Sequence, residues 1–322
     1  MHPEQQLLFD LGTIDFVSLV ETKERIMGAS RAISTLRAYA SGWKAFEQWC
    51  GEAGRASMPA MPATLREFAA WCINQKFRLE TINVRMNAIA HYHREAGCET
   101  PLDAEVRHFL SNAKRVLKEQ PGGKAPVTVS HLQQIARNLS GSPVEIRNRA
   151  MILLQFAAGW RRSEVVQLQL SDVKFVRQGL TLWLRSSKED QEAKGELVGI
   201  EYGKRELTCP VRALKQWLRI RGRWEGPLFV RLTPGHNLTR TALNGRGEVL
   251  HLALKGALEA IGEDPDKFGS HSLRAGMITA AAEAGASESS IMMRTCHHDA
   301  KTLRRYIRPT RIFKFNPLKG VL

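Results

Sequence analysis

Cysteine is scarce: five residues in 322 (Cys50, Cys72, Cys98, Cys209 and Cys296), odd in number and with no Cys-x-x-Cys pair. Neither a disulfide framework nor a Cys-based zinc site is expected from that pattern. No run approaches 18 consecutive apolar residues, so no membrane-spanning helix is expected. The opening MHPEQQLLFD has neither a basic start nor an apolar core, and does not read as a secretory leader. Gly-x-x-x-x-Gly-Lys, Gly-x-Gly-x-x-Gly, His-Glu-x-x-His and Gly-x-Ser-x-Gly are all missing, which removes the signals for phosphate-loop, dinucleotide, zinc-protease and serine-hydrolase chemistry. There is no internal repeat and no low-complexity tract. A reducing cytoplasm or nucleoid is the expected setting.

What is abundant is positive charge. Forty-seven Lys and Arg stand against 32 Asp and Glu, a formal charge of +15. Residues 1–127 carry 16 basic and 14 acidic side chains, so residues 128–322 hold 31 and 18, a net of +13. Charge concentrated in one half points to a polyanionic partner, nucleic acid before an anionic membrane.

Apolar residues recur at helical spacing through 31–50 (Ile33, Leu36, Ala40, Trp43, Phe46, Cys50). Pro62 suits the first turn of a second helix over about 62–77, and further helical patterns run through 80–96 and 103–118. Residues 1–120 therefore read as an all-helical unit. The stretch EQPGGKAPVT breaks the pattern, and 121–127 read as a linker. Beyond it, 130–139 and 142–158 look helical, the latter apolar enough to be buried. Leu180, Leu182 and Leu184 then alternate with Thr181, Trp183 and Arg185, a strand signature, and a polar turn leads to Leu197–Ile200. A hairpin is expected there, with Lys188 at its tip. Helices return at about 210–222, 248–261, 271–285, 287–294 and 299–306. His91 and His93 lie two apart in a helical pattern and read as surface or core histidines rather than ligands.

Taken singly, the remaining signals are weak. GWRRSEVVQL puts Arg161 and Glu164 three apart, where a carboxylate can hold a guanidinium. GSHSLRAGM puts His271 and Arg274 three apart at a helix start. His297 precedes Tyr306, one of four tyrosines, by nine positions. Jointly, the order Arg-x-x-Glu, hairpin Lys, His-x-x-Arg, His and Tyr resembles the tyrosine recombinases, the phage integrase family of Cre- and Xer-like site-specific recombinases. The resemblance spans nearly the whole chain, and FEQWCGEAGRASMPAMPATLREFAAW is similar to Cre-type members as well.

The resemblance implies a mainly α fold with a small β-hairpin, arranged as a two-domain clamp. Its parts would be a helical core-binding domain over 1–120 and a catalytic domain over 128–322, with a tail from about 310 that docks in trans. It implies a site-specific recombinase that cuts and rejoins DNA through a covalent 3′-phosphotyrosine, without metal, ATP or other cofactor. Arg161 and Arg274 would bind the phosphate oxygens and Glu164 would support the site. Lys188 would protonate the leaving 5′-oxygen, with Lys194 a lesser candidate in the same turn. His271 would relay the tyrosine proton, His297 would hydrogen-bond the phosphate, and Tyr306 would attack. The family usually has Gly-His where this chain has Cys296-His297-His298; spacing selects His297, with His298 as the alternative. The implied partner is duplex DNA with inverted-repeat half-sites, bound by a homodimer on one site and a homotetramer when two sites meet. A topoisomerase IB-like nicking and resealing enzyme, and a DNA-binding protein of this fold that does not cut, are the competing readings.

Overall fold

The computed structural model describes residues 33–117, 124–139, 141–185, 195–295, 303, 304 and 306. Two compact units divide between Gly122 and Gly123.

The first unit is helical throughout its described residues: α1 (Ile33–Ala53), α2 (Pro62–Asn74), α3 (Leu79–Glu95) and α4 (Ala104–Leu117). Pro62 opens α2, where its missing N–H costs no helical bond. The apolar stripes of these helices converge on Phe46, Leu65, Phe68, Ile82, Met86 and Ile89, all at most 1% exposed. His93 belongs to this core. Its Nε2 accepts from the Ala60 N–H at 2.9 Å and its Nδ1 donates to the Ile89 carbonyl at 2.8 Å, so both ring nitrogens are used structurally.

The second unit is built around α6 (Pro143–Ala158), preceded by α5 (Val129–Asn138). Ser142 and Glu145 cap α6 reciprocally, and Pro143 occupies its first turn. Met151–Leu154 are all buried, so this helix is covered on every side rather than along one stripe. The short α7 (Arg162–Val166) follows. Strands β1 (Val173–Val176), β2 (Gly179–Leu184) and β3 (Glu196–Glu201) then form an antiparallel sheet in that order. Leu182 pairs with Val198 and Leu180 with Ile200; these side chains face the core while Trp183 stays 42% exposed, as the alternation requires.

α8 (Pro210–Arg221) packs on α6. A second antiparallel pair, β4 (Val230–Leu232) and β5 (Leu238–Ala242), was not expected from sequence; its strands are short, and β5 reads LTRTA with little burial. α9 (Glu248–Glu259), α10 (Ser272–Glu283) and α11 (Glu288–Thr295) complete the described helices, with Leu303, Arg304 and Tyr306 also helical. Residues 124–127, read from sequence as the end of a linker, run along the second unit: the Ala125 N–H donates to the Lys267 carbonyl at 2.8 Å and the Val127 N–H to Ser272 at 2.9 Å. The mainly helical fold with small sheets holds. Among the described residues, no helix is long and apolar enough to cross a membrane.

Candidate active site

α6 ends at Gly159, whose φ of +68° is left-handed backbone that glycine adopts freely. The chain then turns through fully buried Trp160 into Arg161. A spacing of three would let Arg161 and Glu164 pair on one helical face. Arg161 instead sits just before α7, in extended conformation (φ −71°, ψ 149°), and Glu164 caps it. The Arg161 N–H donates to Glu164 Oε2 at 2.7 Å, and its guanidinium donates to Oε1 at 3.0 Å. One buried carboxylate thus fixes both the backbone and the side chain of Arg161, whose side chain keeps 18% of its surface open.

Arg274 arrives from α10. The turn before that helix is tied by the Gly269 N–H to Ser272 Oγ (2.9 Å) and the Ser272 N–H to the Gly269 carbonyl (3.0 Å). α10 lies so close to the segment at Val127 that a Cβ at Gly276 would fall 1.9 Å from the Val127 carbonyl oxygen. Held in this way, Arg274 is 5% exposed and donates to the Gly159 carbonyl at 2.9 Å. The two arginines, 113 positions apart in sequence, therefore share one three-residue turn. His271 is exposed at the N-cap of the same helix, one residue before its first turn.

Tyr306 is half-buried and packs on a small cluster of Met277, Ile278, Ala282, Ile291 and Leu303. Met277, Ile278 and Ala282 of that cluster belong to α10, so the helix that carries Arg274 also supplies part of the apolar surface at Tyr306. Arg304, two residues before Tyr306, pairs with Glu288 at 3.1 Å. Just after β2 the Arg185 guanidinium reaches buried Asp172 at 2.8 Å and Ser171 at 3.1 Å, which fixes the chain where that strand ends. Lys188 and Lys194, expected from sequence in a hairpin turn, and His297 and His298 lie outside the described residues, as does the tail from 310.

The sequence reading missed a basic group beside Arg161. Arg162, His251 and Lys255 face one another across the approach of α7 to α9, and burial, followed by Arg162 and Lys255, holds the His251 imidazole below its ordinary pKa. The pairing depends on two helices meeting some 90 residues apart, and no local spacing announces it. Among the described residues, no group of three or more His, Cys, Asp or Glu is arranged to hold a metal ion.

Comparison with known proteins decides the lineage. Residues 127–311 match the model of the phage integrase family. The chain belongs to that family. It is 34% identical over 304 residues to an integrase/recombinase XerD homologue of Selenomonas ruminantium, covering 92% of this chain and 87% of the relative. It is also 21% identical to the Cre recombinase of Escherichia phage P1, over 82% of this chain and 81% of that one. Among solved structures, a lambda integrase dimer bound to a core site aligns over 90% of this chain and 94% of the other with a TM-score of 0.61, at 15% identity. XerH bound to its palindromic difH substrate aligns over 86% and 79% with a TM-score of 0.60, at 17% identity. The resemblance read from the ordered motifs to tyrosine recombinases is thereby borne out.

Proposed function

We propose that the chain is a site-specific DNA recombinase that exchanges strands through a phosphotyrosine. The observation that carries this reading is the convergence of Arg161 and Arg274 on the turn at Gly159, with Tyr306 packed on an apolar cluster that α10 helps to form. Two guanidiniums held by fixed partners suit the non-bridging oxygens of a phosphodiester, on which charge builds as the bond breaks. Tyr306 Oη attacks the phosphorus, the 5′-oxygen leaves with a proton from Lys188, and the 3′-phosphate stays on tyrosine until a second 5′-hydroxyl reverses the step. Each step exchanges one phosphate ester for another, so no energy donor enters the balance. His271 at the N-cap of α10 takes up the tyrosine proton, and His297 contributes a hydrogen bond to the phosphate.

The same reading assigns two protomers to an inverted-repeat site and four to the synapsed pair, in the nucleoid of the cytoplasm. Dimers and tetramers on DNA are what the lambda integrase structures describe for that protein. The apolar tail residues Ile312, Phe313, Phe315 and Leu318 dock on a neighbouring protomer.

A nicked suicide duplex tests the proposal. Wild type should form a covalent adduct that resists SDS, and Tyr306→Phe should bind the duplex but form none. Absence of an adduct on a duplex the protein demonstrably binds would favour a non-cutting DNA-binding protein. Adduct formation without exchange between two sites would favour the nicking and resealing enzyme.

A further inference from the structure

The second unit has a cleft of about 600 Å³ lined by Arg149, Arg212, Lys215 and Arg219, together with Tyr202 and Gln216. Glu206 is the one carboxylate on its walls. Arg212, Lys215 and Arg219 fall at helical spacing along one face of α8 and are exposed. Arg149 comes from the second turn of α6 and is only 6% exposed.

Arg149 is the unusual member. One of its amino groups donates to the Ala136 carbonyl at 3.4 Å and the other to the Gln216 amide oxygen. Its Nε, buried, makes no hydrogen bond, and no carboxylate pairs with it among the described residues. Its neighbours in kind are better provided for. Arg221 donates to the carbonyls of Pro227, Gly222 and Trp224 and stacks on the Trp224 ring at 3.9 Å. Arg147 donates to the Val230 carbonyl and to Asn148. A buried cation with no countercharge is costly, and burial holds the Arg149 guanidinium below its ordinary pKa.

The rim is held in place. The Tyr202 ring lies 5.3 Å from the Arg212 guanidinium and 5.1 Å from the Lys215 ammonium. Lys215 also donates to the Tyr202 hydroxyl, and Arg212 to the Gly203 carbonyl at 3.0 Å. Two like charges pinned to one ring, with a third a turn away, repel one another unless an anion lies between them.

We propose that this cleft binds a small phosphate-bearing anion, an inorganic oligophosphate or the phosphate tail of a nucleotide, with Arg149 at its inner end and Arg212, Lys215 and Arg219 at its rim. Because Arg149 is buried, the group that reaches it is a terminal phosphoryl rather than the flank of a duplex. The cleft is distinct from the candidate active site. Arg149 lies nine positions before Ala158, the last residue of α6, about 14 Å along the helix axis, and Arg161 follows the turn beyond that end.

Calorimetric titration of the full chain at 0.15 M salt tests this, with inorganic pyrophosphate and ATP as separate probes. Both should bind, and replacing Arg212, Lys215 and Arg219 together by alanine should weaken each at least tenfold without changing the melting temperature. Arg149→Met should abolish pyrophosphate binding while leaving the protein as stable as wild type; should it fail to fold, the rim variant decides. A saturating duplex should leave the pyrophosphate affinity unchanged. Equal affinity in the rim variant would overturn the proposal. So would binding of ATP without pyrophosphate, which points to the base, or displacement by duplex, which gives the cleft to DNA backbone.

Discussion

Gly159→Ala puts the central turn of the candidate site to the test. Alanine at a φ of +68° costs about 1–2 kcal/mol in backbone strain. Its methyl would also stand 2.1 Å from Met277 Cε and 2.8 Å from Thr295 Cγ2. The end of Met277 can swing away at little cost. Thr295 cannot, because it is fully buried and its hydroxyl donates to the Ile291 carbonyl at 2.7 Å. Overpacking against such a neighbour costs about 1–3 kcal/mol. The sum, roughly 2–5 kcal/mol, is a large part of the 5–15 kcal/mol typical of a folded domain. Urea unfolding should therefore show an earlier transition for the second unit at unchanged slope. The Gly159 carbonyl also holds Arg274, so single-turnover cleavage of a suicide duplex should slow about tenfold or more, by misplacement of a phosphate ligand. Binding of the duplex should stay within about twofold, since binding rests mainly on backbone contacts elsewhere. A variant within 1 kcal/mol of wild type that cleaves at the wild-type rate would refute the idea that this packing positions Arg274.

Glu164→Gln keeps the shape of the cap but leaves one accepting oxygen where the carboxylate had two, so either the Arg161 N–H or its guanidinium faces an amide NH2 and loses its bond, a loss of about 1–3 kcal/mol; cleavage should fall about tenfold with duplex affinity nearly unchanged, read by single-turnover rates beside a binding titration. His251 is held neutral in the native state, below its ordinary value of 6.5, so the unfolded chain binds more protons as pH falls. Stability should drop as pH goes from about 6.5 toward 5, and His251→Gln should flatten that part of the profile in urea melts; an unaltered profile would exclude the residue as its source. Deleting residues 310–322 should abolish exchange between two sites while sparing duplex binding, and undiminished exchange would show that the tail does not couple protomers.

The legible parts of this chain were those whose signal is local. The periodicity of Ile33–Cys50 and the alternation of Leu180, Leu182 and Leu184 each report burial of one face, and the helix and strand follow. Boundaries drifted by one to three residues, because helix ends are set by caps such as Ser142–Glu145 rather than by the apolar pattern. β4 and β5 were invisible since neither buries a regular face. Within the site, the order of Arg161, Glu164, His271, Arg274 and Tyr306 was readable as a resemblance. The capping geometry of Arg161 was not: spacing of three allows a helical pair and an N-cap alike, and only the left-handed exit at Gly159 selects the second. The group of Arg162, His251 and Lys255 and the cleft at Arg149 depend on which helices meet, and no window of sequence encodes that.

The way arginines are held explains how so basic a unit folds and still attracts phosphate. Arg147, Arg221 and Arg274 are nearly buried, and each donates to backbone carbonyls: Val230, then Pro227, Gly222 and Trp224, then Gly159. A carbonyl meets the directional demand of a guanidinium without cancelling its charge, whereas a carboxylate does both. Carbonyl partners therefore keep the field of the unit positive while fixing its cations to rigid turns. Arg161 is the instructive contrast, since Glu164 neutralises part of its charge in return for holding it on two sides. The pair at the candidate site is thus held by unlike groups: a carboxylate braces Arg161 on two sides, and a backbone carbonyl orients Arg274. On that argument, Arg274→Lys should cost more than Arg161→Lys in the cleavage step, because lysine keeps the charge but loses the fork that lets Arg274 serve Gly159 and a phosphate together.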